Sequence, residues 1–570
     1  MTDIYTKITD AIKTATKAAG IDVDAIHLEH PTDLSHGDFA TNVAMATAKG
    51  LGKNPREVGE TIAEEIKKLN NQNIADATVA GPGFINITLS DDFLKSVPSQ
   101  VLKAGEMYGG NDLYKGYKTL FEYTDPNPLK IFHIGHFMSN AVGEANSRIT
   151  EFHGAEVKRA CYFGDTGVHI AKTMYALRSM KDSIDKKADL RTQVAMLGKA
   201  YAEGNTQYED NPEAKKEIDK LNVSIYNKED TEDYQLYLWA RQTSLDYFET
   251  IYKKIDTHFD FYFPESDAAP KGKEIVEGHI ADGVFVESDG AVIFKGEDHD
   301  KSLHTRVFIN KFGVPTYEAK ELALAKIKSE TYPYDVSVVI TASEIDQYFK
   351  VLKKAMSLVF PDLEKKTFHI SHGILKLPDG KMSSRKGTII SAEDLIEKVT
   401  EEVLKKMEDR EIDNKEEVAE KIAIGALKYT ILRQASGKDV VFDFNTALSF
   451  EGDSGPYLQY AYVRANSILE KAKAVGIQPL LAGGSKTYGL EQMFYRFPDV
   501  IKRAGHEHAP QYIVTYLTEL ASGFNSFYAK EKVTDPDDND APHKLALVEA
   551  TMQILKNGMH ILAIPVVEKM

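Results

Sequence analysis

The sequence contains a single cysteine, Cys161, in 570 residues. That excludes an intrachain disulfide and any zinc cage built from several thiolates, so no structural zinc is expected. An excess of basic charge is missing as well, with 69 Lys and Arg against 86 Asp and Glu and a net charge of -17. Such a balance favours solubility and opposes unspecific adhesion to nucleic acid, so any RNA contact must rest on local basic patches. Long apolar runs are also lacking. The most apolar late stretch, MHILAIPVV, is far too short to span a bilayer. At the N-terminus, Ile4, Ile8 and Ile12 recur among Lys and Thr at the spacing of an amphipathic helix, which a signal peptide does not show. Neither an internal repeat nor a low-complexity tract is found. A soluble cytoplasmic protein is expected.

What is present is enough chain for several cores and roughly three or four domains. Residues 1–112 read as a compact α/β module. Asn54 and Pro55 supply an N-cap and a favourable first helical residue, with Glu57 at the capping-box position. Gly81, Pro82 and Gly83 then turn the chain into Phe84 to Leu89, where apolar and polar residues alternate as in a half-buried strand. From Lys118, KTLFEYTDPN reads as an apolar strand ending in a Pro/Asn loop, and HIGHFMSNAVGEANSRITEF as a helix. A second strand, VKRACYF, ends at Gly164, followed by a loop with Asp165 and Gly167. Open parallel sheets bind ligands at such strand-end loops.

Residues 180–265 are charged and helical in pattern and read as an insertion between two halves of the sheet domain. Strand patterns return at VFVES, GAVIF and DVSVVIT, before the loop LPDGKMSSRKGTII. Beyond it, 391–440, 454–475, 508–530 and 541–562 are helical in pattern, and TDPDDNDAP reads as an exposed loop. The expected architecture is a Rossmann-type parallel-sheet domain at 113–395, with an N-terminal α/β domain before it. A helical junction at 396–450 and an all-α bundle at 451–570 follow.

Two motifs carry chemistry. The first is His133-Ile134-Gly135-His136 at a predicted helix start. Attack on a phosphorus builds charge on phosphoryl oxygens, and imidazole donors beside a helix N-terminus stabilise that charge without becoming covalently involved. Gly135, lacking Cβ, lets a flat base approach the backbone. Composition alone yields His-x-Gly-His in about 3% of such chains, so two ordinary histidines at a helix start remain an alternative. The second is the basic loop Lys381-Met382-Ser383-Ser384-Arg385-Lys386-Gly387. Several cations on one loop can favour a pyrophosphate leaving group, although a basic loop by itself is more often a solvated surface.

In this order, and separated by a long α/β stretch, the two motifs resemble the signatures of class I aminoacyl-tRNA synthetases. FEYTDPNPLKIFHIGH further resembles the arginyl-tRNA synthetase form of the first signature. The resemblance implies that Glu122 and Asn127 hold the arginine substrate, and that Lys130 contacts phosphate. It also implies that His133, Gly135, His136, Lys381, Met382, Ser383, Arg385 and Lys386 bind ATP, with His133, His136, Lys130 and Lys381 acting in catalysis. A guanidinium does need carboxylate acceptors in fork geometry. Taken alone, Glu122 reads more often as a strand-end salt-bridge partner.

PTYEAKELAL resembles the family's Tyr-x-x-x-Asp segment, which implies that Tyr317 packs on the substrate and that the acid binds its guanidinium. Here that acid is Glu321, for which a solvent-facing helical glutamate is the alternative. GDTGVHIAK resembles a Gly-Asp-Trp-Gly loop with Thr166 in place of tryptophan, and places Asp165 as a pocket residue. In TASEIDQYF, Ile345 stands where some relatives have a pocket glutamine. HGDFATNVAM and VAGPGFINITL resemble the family's extra N-terminal domain, and the last 120 or so residues its helical anticodon-binding domain. There Tyr457, Tyr460 and Tyr462 are candidates to stack on bases and Arg464 to pair with phosphate, although tyrosine at helical spacing is more often core.

The resemblance implies ATP with Mg2+ as cofactors, L-arginine and tRNA as partners, contact with tRNA through all three domains, and activation that depends on bound tRNA. A monomer is the expected state. Three rivals stay open. Cysteinyl-tRNA synthetase shares the signatures, but its pocket relies on zinc held partly by cysteines. A small-molecule nucleotidyltransferase would not need two flanking domains. A non-catalytic RNA-binding derivative would leave His133, Gly135, His136 and Lys381 free to drift.

Overall fold

KTLFE, flanked on both sides by apolar strands, becomes the middle of a five-stranded parallel sheet in the computed structural model. The structure describes residues 4–31, 33, 36–376, 391–481 and 483–570. Lys118–Glu122 pairs on one side with Glu156–Phe163, which in turn pairs with Phe261–Pro264. On the other side lie Val336–Ala342 and then Thr367–His372. The chain therefore builds outward from Lys118–Glu122 in one direction, then returns to build in the other. The reversal falls between Lys118–Glu122 and Val336–Ala342, and at such a switch point the loops leave the sheet in opposite directions and open a crevice.

The first crossover is the helix Ile134–Phe152, of which almost every residue is buried. Gly143 lets it sit directly on the sheet, since a Cβ there would lie 2.2 Å from the Tyr123 ring. Its inner face carries Glu144, which accepts from Tyr123 Oη at 2.5 Å and pairs with Arg148 at 2.7 Å and Arg159 at 3.1 Å. A buried charge of this kind persists only when fully paired. The pattern is satisfied, for Arg159 also meets Glu151 at 2.7 Å.

Between the second and third strands of the sheet stand the helices Leu190–Asp210, Pro212–Tyr226 and Glu232–Lys254. They share a core with Leu129 and the helix Val168–Ser179, through Leu197, Ala200, Ile218, Leu221 and Tyr237. VFVES and GAVIF do not join the parallel sheet. As Val286–Ser288 and Ala291–Lys295 they form a separate antiparallel sheet with Thr305–Ile309, over a core of Phe285, Phe294 and Phe308. Alternation in a short strand reports a half-buried face, not the sheet it belongs to.

The N-terminal module is a four-stranded antiparallel sheet carrying helices, among them Ile4–Ala18 and Pro55–Lys68. Asn54 caps the latter by accepting from Arg56 N–H at 2.9 Å. The C-terminal part is helical, with Gly455–Ala474, Gln511–Lys530 and Ala541–Ile561 as its longest elements. Asp38, in the N-terminal module, accepts from Tyr495 Oη at 3.1 Å and Gln492 at 3.2 Å, which joins the two ends of the chain.

Candidate active site

At the crevice, the loop from Tyr123 to Phe132 leaves the central strand with three non-glycine residues at positive φ: Thr124 at 79°, Asp125 at 47° and Leu129 at 63°. A β-branched residue in that region is strained, and here the cost is held by specific bonds. Thr124 N–H donates to Ser139 Oγ at 3.0 Å, and its hydroxyl accepts from Asn140 at 3.1 Å. Leu129 N–H donates to Ser244 of the helical insertion at 2.9 Å. The loop delivers His133 as the N-cap of the crossover helix.

His133 and His136 cap one another. Nδ1 of His133 accepts from the Gly135 and His136 amides at 3.1 and 3.4 Å, while Nδ1 of His136 accepts from the His133 amide at 3.2 Å. The rings stack at 3.6 Å. Because both Nδ1 atoms accept, the hydrogen-bond pattern assigns the protons to Nε2. Burial lowers the His133 pKa to about 4, with help from Lys130, and burial, then His133 and Lys130, hold that of His136 well below its usual value. Both are neutral imidazoles with an N–H donor to offer. Gly135 fits closely against this cap, since a Cβ would lie 3.0 Å from the His133 ring.

Cations gather beside them. Lys130 lies 5.2 Å from the Tyr201 ring centre, and Lys172 4.3 Å from that of Tyr208. His169 shares a hydrogen bond with the Gly164 carbonyl at 3.1 Å, and burial, then Lys130, lowers its pKa to about 4. The described chain resumes at Ser391, which forms a β-bridge with His133, and Ala392 N–H donates to the Phe132 carbonyl at 2.8 Å. Lys381, Met382, Ser383, Arg385 and Lys386 lie outside the described residues.

The other half of the crevice is acidic. Glu122, at the end of the central strand, meets Lys328 at 2.7 Å. Glu265 meets Lys320 at 2.7 Å. Asp125 accepts from the Tyr162 amide at 2.8 Å, and burial, then Glu122, pushes its pKa well up. Glu321 has no hydrogen bond or ion pair among the described residues, and burial followed by Glu122 raises its pKa to about 8. Tyr317, Glu321 and Lys328 share one face of the helix Tyr317–Thr331, being four and seven residues apart. Tyr317 is half exposed at its first turn, with Lys320 Nζ 5.0 Å from the ring centre.

The two halves meet at Asn127 and Gly164. Asn127 Oδ1 accepts from the Gly164 amide at 2.8 Å, and a Cβ on Gly164 would lie 2.6 Å from that oxygen and 3.1 Å from Glu265. Asp165 is fully buried and occupied by protein groups: Arg241 at 2.8 Å, the Ser266 amide and hydroxyl at 2.9 Å each, and Tyr237. It ties the insertion to the sheet. Ile345 sits partly exposed just beyond Val336–Ala342. In the helical C-terminal part, Tyr457 is buried and Arg464 is held by Asn525 and Tyr460.

Sequence reading thus brought Glu122, Asn127, Lys130, His133, Gly135, His136, Tyr317 and Glu321 to one crevice. It missed Asp125, Glu265, Lys320 and Lys328, and His169 on the cationic side. The first could have been found from its place in the loop after Glu122. Lys320 and His169 lie inside the segments PTYEAKELAL and GDTGVHIAK, whereas Glu265 and Lys328 belong to no such motif.

A parallel sheet whose switch point carries a His-x-Gly-His helix cap beside an acidic pocket defines the catalytic fold of a class I aminoacyl-tRNA synthetase. Residues 97–444 match the family model for class I (R) tRNA synthetases, catalytic domain. Residues 3–89 match the arginyl tRNA synthetase N terminal domain, and 458–570 the DALR anticodon binding domain. The chain belongs to the arginyl-tRNA synthetase family. It is 30% identical over 554 residues to an arginine–tRNA ligase of Fusobacterium nucleatum, covering 95% of this chain and 94% of that one. It is 29% identical over 581 residues to one of Halothermothrix orenii, covering 100% of both. Its fold matches Thermus thermophilus arginyl-tRNA synthetase with a TM-score of 0.80 at 22% identity, covering 100% of both chains.

Proposed function

We propose that this protein is an arginine–tRNA ligase, which activates L-arginine with ATP and transfers it to tRNA. The observation that carries the reading is the charge pattern of the crevice. Glu122 and Glu265 are each matched by a lysine, which leaves Asp125 and Glu321 with no ion-pair partner among the described residues. Free arginine brings two cations, the guanidinium and the α-ammonium, and its carboxylate is then directed toward the donors at the helix cap.

In the first step a carboxylate oxygen of arginine attacks the α-phosphorus of ATP, and the bond to the bridging oxygen of pyrophosphate breaks. His133 and His136 offer neutral Nε2–H donors at the N-terminus of a helix of 19 residues, and Lys130 adds a positive charge. No protein nucleophile is required. Lys381, Met382, Ser383, Arg385 and Lys386 are assigned to the leaving pyrophosphate on the family resemblance. In the second step a hydroxyl of the terminal adenosine attacks the carbonyl carbon, AMP leaves, and arginyl-tRNA is formed.

Glu122, Asn127, Tyr317 and Glu321 are assigned to arginine. Asp165 takes part from behind, by holding the pocket's wall to the insertion. Magnesium is counted as part of the substrate, carried on the triphosphate. We assign tRNA contact to the N-terminal module 1–112, the catalytic domain 113–395 and the bundle 451–570, joined through 396–450. The protein acts as a monomer in the cytoplasm in this reading. No described helix is long and apolar enough to cross a membrane.

The test is aminoacylation of a total tRNA pool by the purified protein with Mg-ATP, each amino acid supplied in turn, with and without the pool. Arginine alone should become tRNA-linked, and pyrophosphate exchange should require tRNA. Binding of tRNA with no transfer of any amino acid would overturn the assignment.

A further inference from the structure

The central carboxylate of the acidic pocket is already half occupied. Lys328 Nζ donates to Oε2 of Glu122 at 2.7 Å, and both side chains are almost entirely buried. Oε1 of Glu122 has no hydrogen-bond partner among the described residues. The lysine comes from the last turn of the helix that also presents Tyr317 and Glu321, so one rigid element carries both the resident cation and the groups assigned to the substrate.

We propose that Lys328 is a positioning residue for amino-acid binding: it fixes Glu122 through Oε2, so that Oε1 is the oxygen that meets a cation of arginine. The inference rests on the arginine–tRNA ligase reading. A monodentate ammonium suits this task. An ammonium is a point charge that takes one oxygen and leaves the second free, whereas a guanidinium forks across both. Lys328 also sets how many acids await the ligand, because a buried carboxylate without a cation favours its neutral form.

Other titratable groups surround Glu122. Glu321 faces it from the same helix as Lys328, Asp125 from the loop that follows, and Tyr162 and Cys161 from the neighbouring strand. Burial works against the ammonium, yet Glu122, Tyr334 and Glu321 outweigh it and raise the Lys328 pKa. The ammonium therefore persists across the whole physiological range.

Two substitutions separate positioning from simple support. Lys328→Met removes the cation and with it the contact that orients Glu122. The KM for arginine in tRNA-dependent pyrophosphate exchange should rise about tenfold, with the KM for ATP unchanged. Lys328→Arg keeps the ion pair and the thermal stability, but its fork covers Oε1. The KM for arginine should then rise about tenfold as well. A merely structural lysine predicts that Lys328→Arg behaves as wild type, and that any loss in Lys328→Met falls equally on arginine, ATP and Tm. Either result overturns the proposal, as does an unchanged KM for arginine in both variants. Should Lys328→Met fail to fold, Lys328→Arg alone decides. If the wild-type protein charges no arginine at all, it is the ligase reading that fails.

Discussion

His133 and His136 hold each other in place through their backbones: each Nδ1 accepts the amide of the other residue, and the rings lie 3.6 Å apart. The same bonds that cap the helix therefore select the tautomer that donates from Nε2. Replacing His136 by Asn keeps an acceptor for the His133 amide but removes that donor. The rate of adenylate formation should fall about 10²-fold or more with little change in the KM for arginine. Single-turnover measurements check this, and a loss confined to KM would show that His136 serves binding alone.

The histidines also set a pH expectation. With the His133 pKa lowered to about 4 by burial and Lys130, and that of His136 below its usual value, both are uncharged throughout the neutral range. The kcat of pyrophosphate exchange should show no limb near the ordinary imidazole pKa of about 6.5. A drop in kcat as pH falls through that value, abolished in the His133→Asn variant, would mean that a charged imidazole forms in the cycle.

Arginine binding should release protons. Burial and Glu122 raise the Glu321 pKa to about 8, so near pH 7 the empty pocket holds a proton there. A cationic ligand binds the ionised form, and the proton must leave. Arginine affinity should rise as pH increases through about 8. Calorimetry in buffers of different ionisation enthalpy should detect about one proton released per arginine near pH 7, and Glu321→Gln should remove most of that signal. Heats independent of buffer would place Glu321 away from the ligand.

Local chemistry decided which parts of this site could be seen in the sequence. His133, Gly135 and His136 are legible because a helix cap needs its groups within four residues, and Asn54-Pro55 announces a helix for the same reason. Glu122 admitted two readings, a salt-bridge partner and a substrate ligand. The Lys328 contact establishes the first, while its open Oε1 leaves room for the second. Lys328 itself is 206 residues further along the chain, and Glu265 lies at the start of a helix after the insertion. Such partners are set by sheet order, and no spacing rule links them. The sheet assignment of Val286–Ser288 and Ala291–Lys295 was illegible for a related reason, because alternation does not name a strand's neighbour.

The crossover helix depends on the ion cluster at its centre. Glu144 is buried, and although burial alone would raise its pKa, Arg159 and Arg148 outweigh it and bring it to about 2. A carboxylate depressed from about 4.5 to about 2 contributes roughly 3 kcal/mol of stability above its unfolded pKa. That contribution is lost as pH falls from about 4.5 toward about 2. Glu144→Gln should cost about 3–5 kcal/mol near neutral pH, because Arg148 and Arg159 each lose their buried counter-charge and keep only Asp256 and Glu151, and should flatten the acid limb. Denaturant unfolding of both proteins at neutral and acid pH checks this.

Lys428 makes the opposite prediction at alkaline pH. It is fully buried where the insertion and the C-terminal tail meet, and it donates to the carbonyls of Ile255 at 2.5 Å and Ala563 at 2.9 Å. Burial, and then Arg148, lowers its pKa to about 7 from the usual 10.5. Between those two values the unfolded chain holds a proton that the folded one lacks, so this residue makes stability rise as pH increases from about 7 to about 10. Lys428→Met removes that slope. It also leaves two buried carbonyls without a donor, at a cost of about 1–3 kcal/mol each, against which it relieves the burden of burying an ammonium below pH 7. The variant should therefore lose most ground to wild type at about pH 9 and least at about pH 6. A difference in Tm that does not depend on pH would mean that Lys428 holds its proton in the folded state.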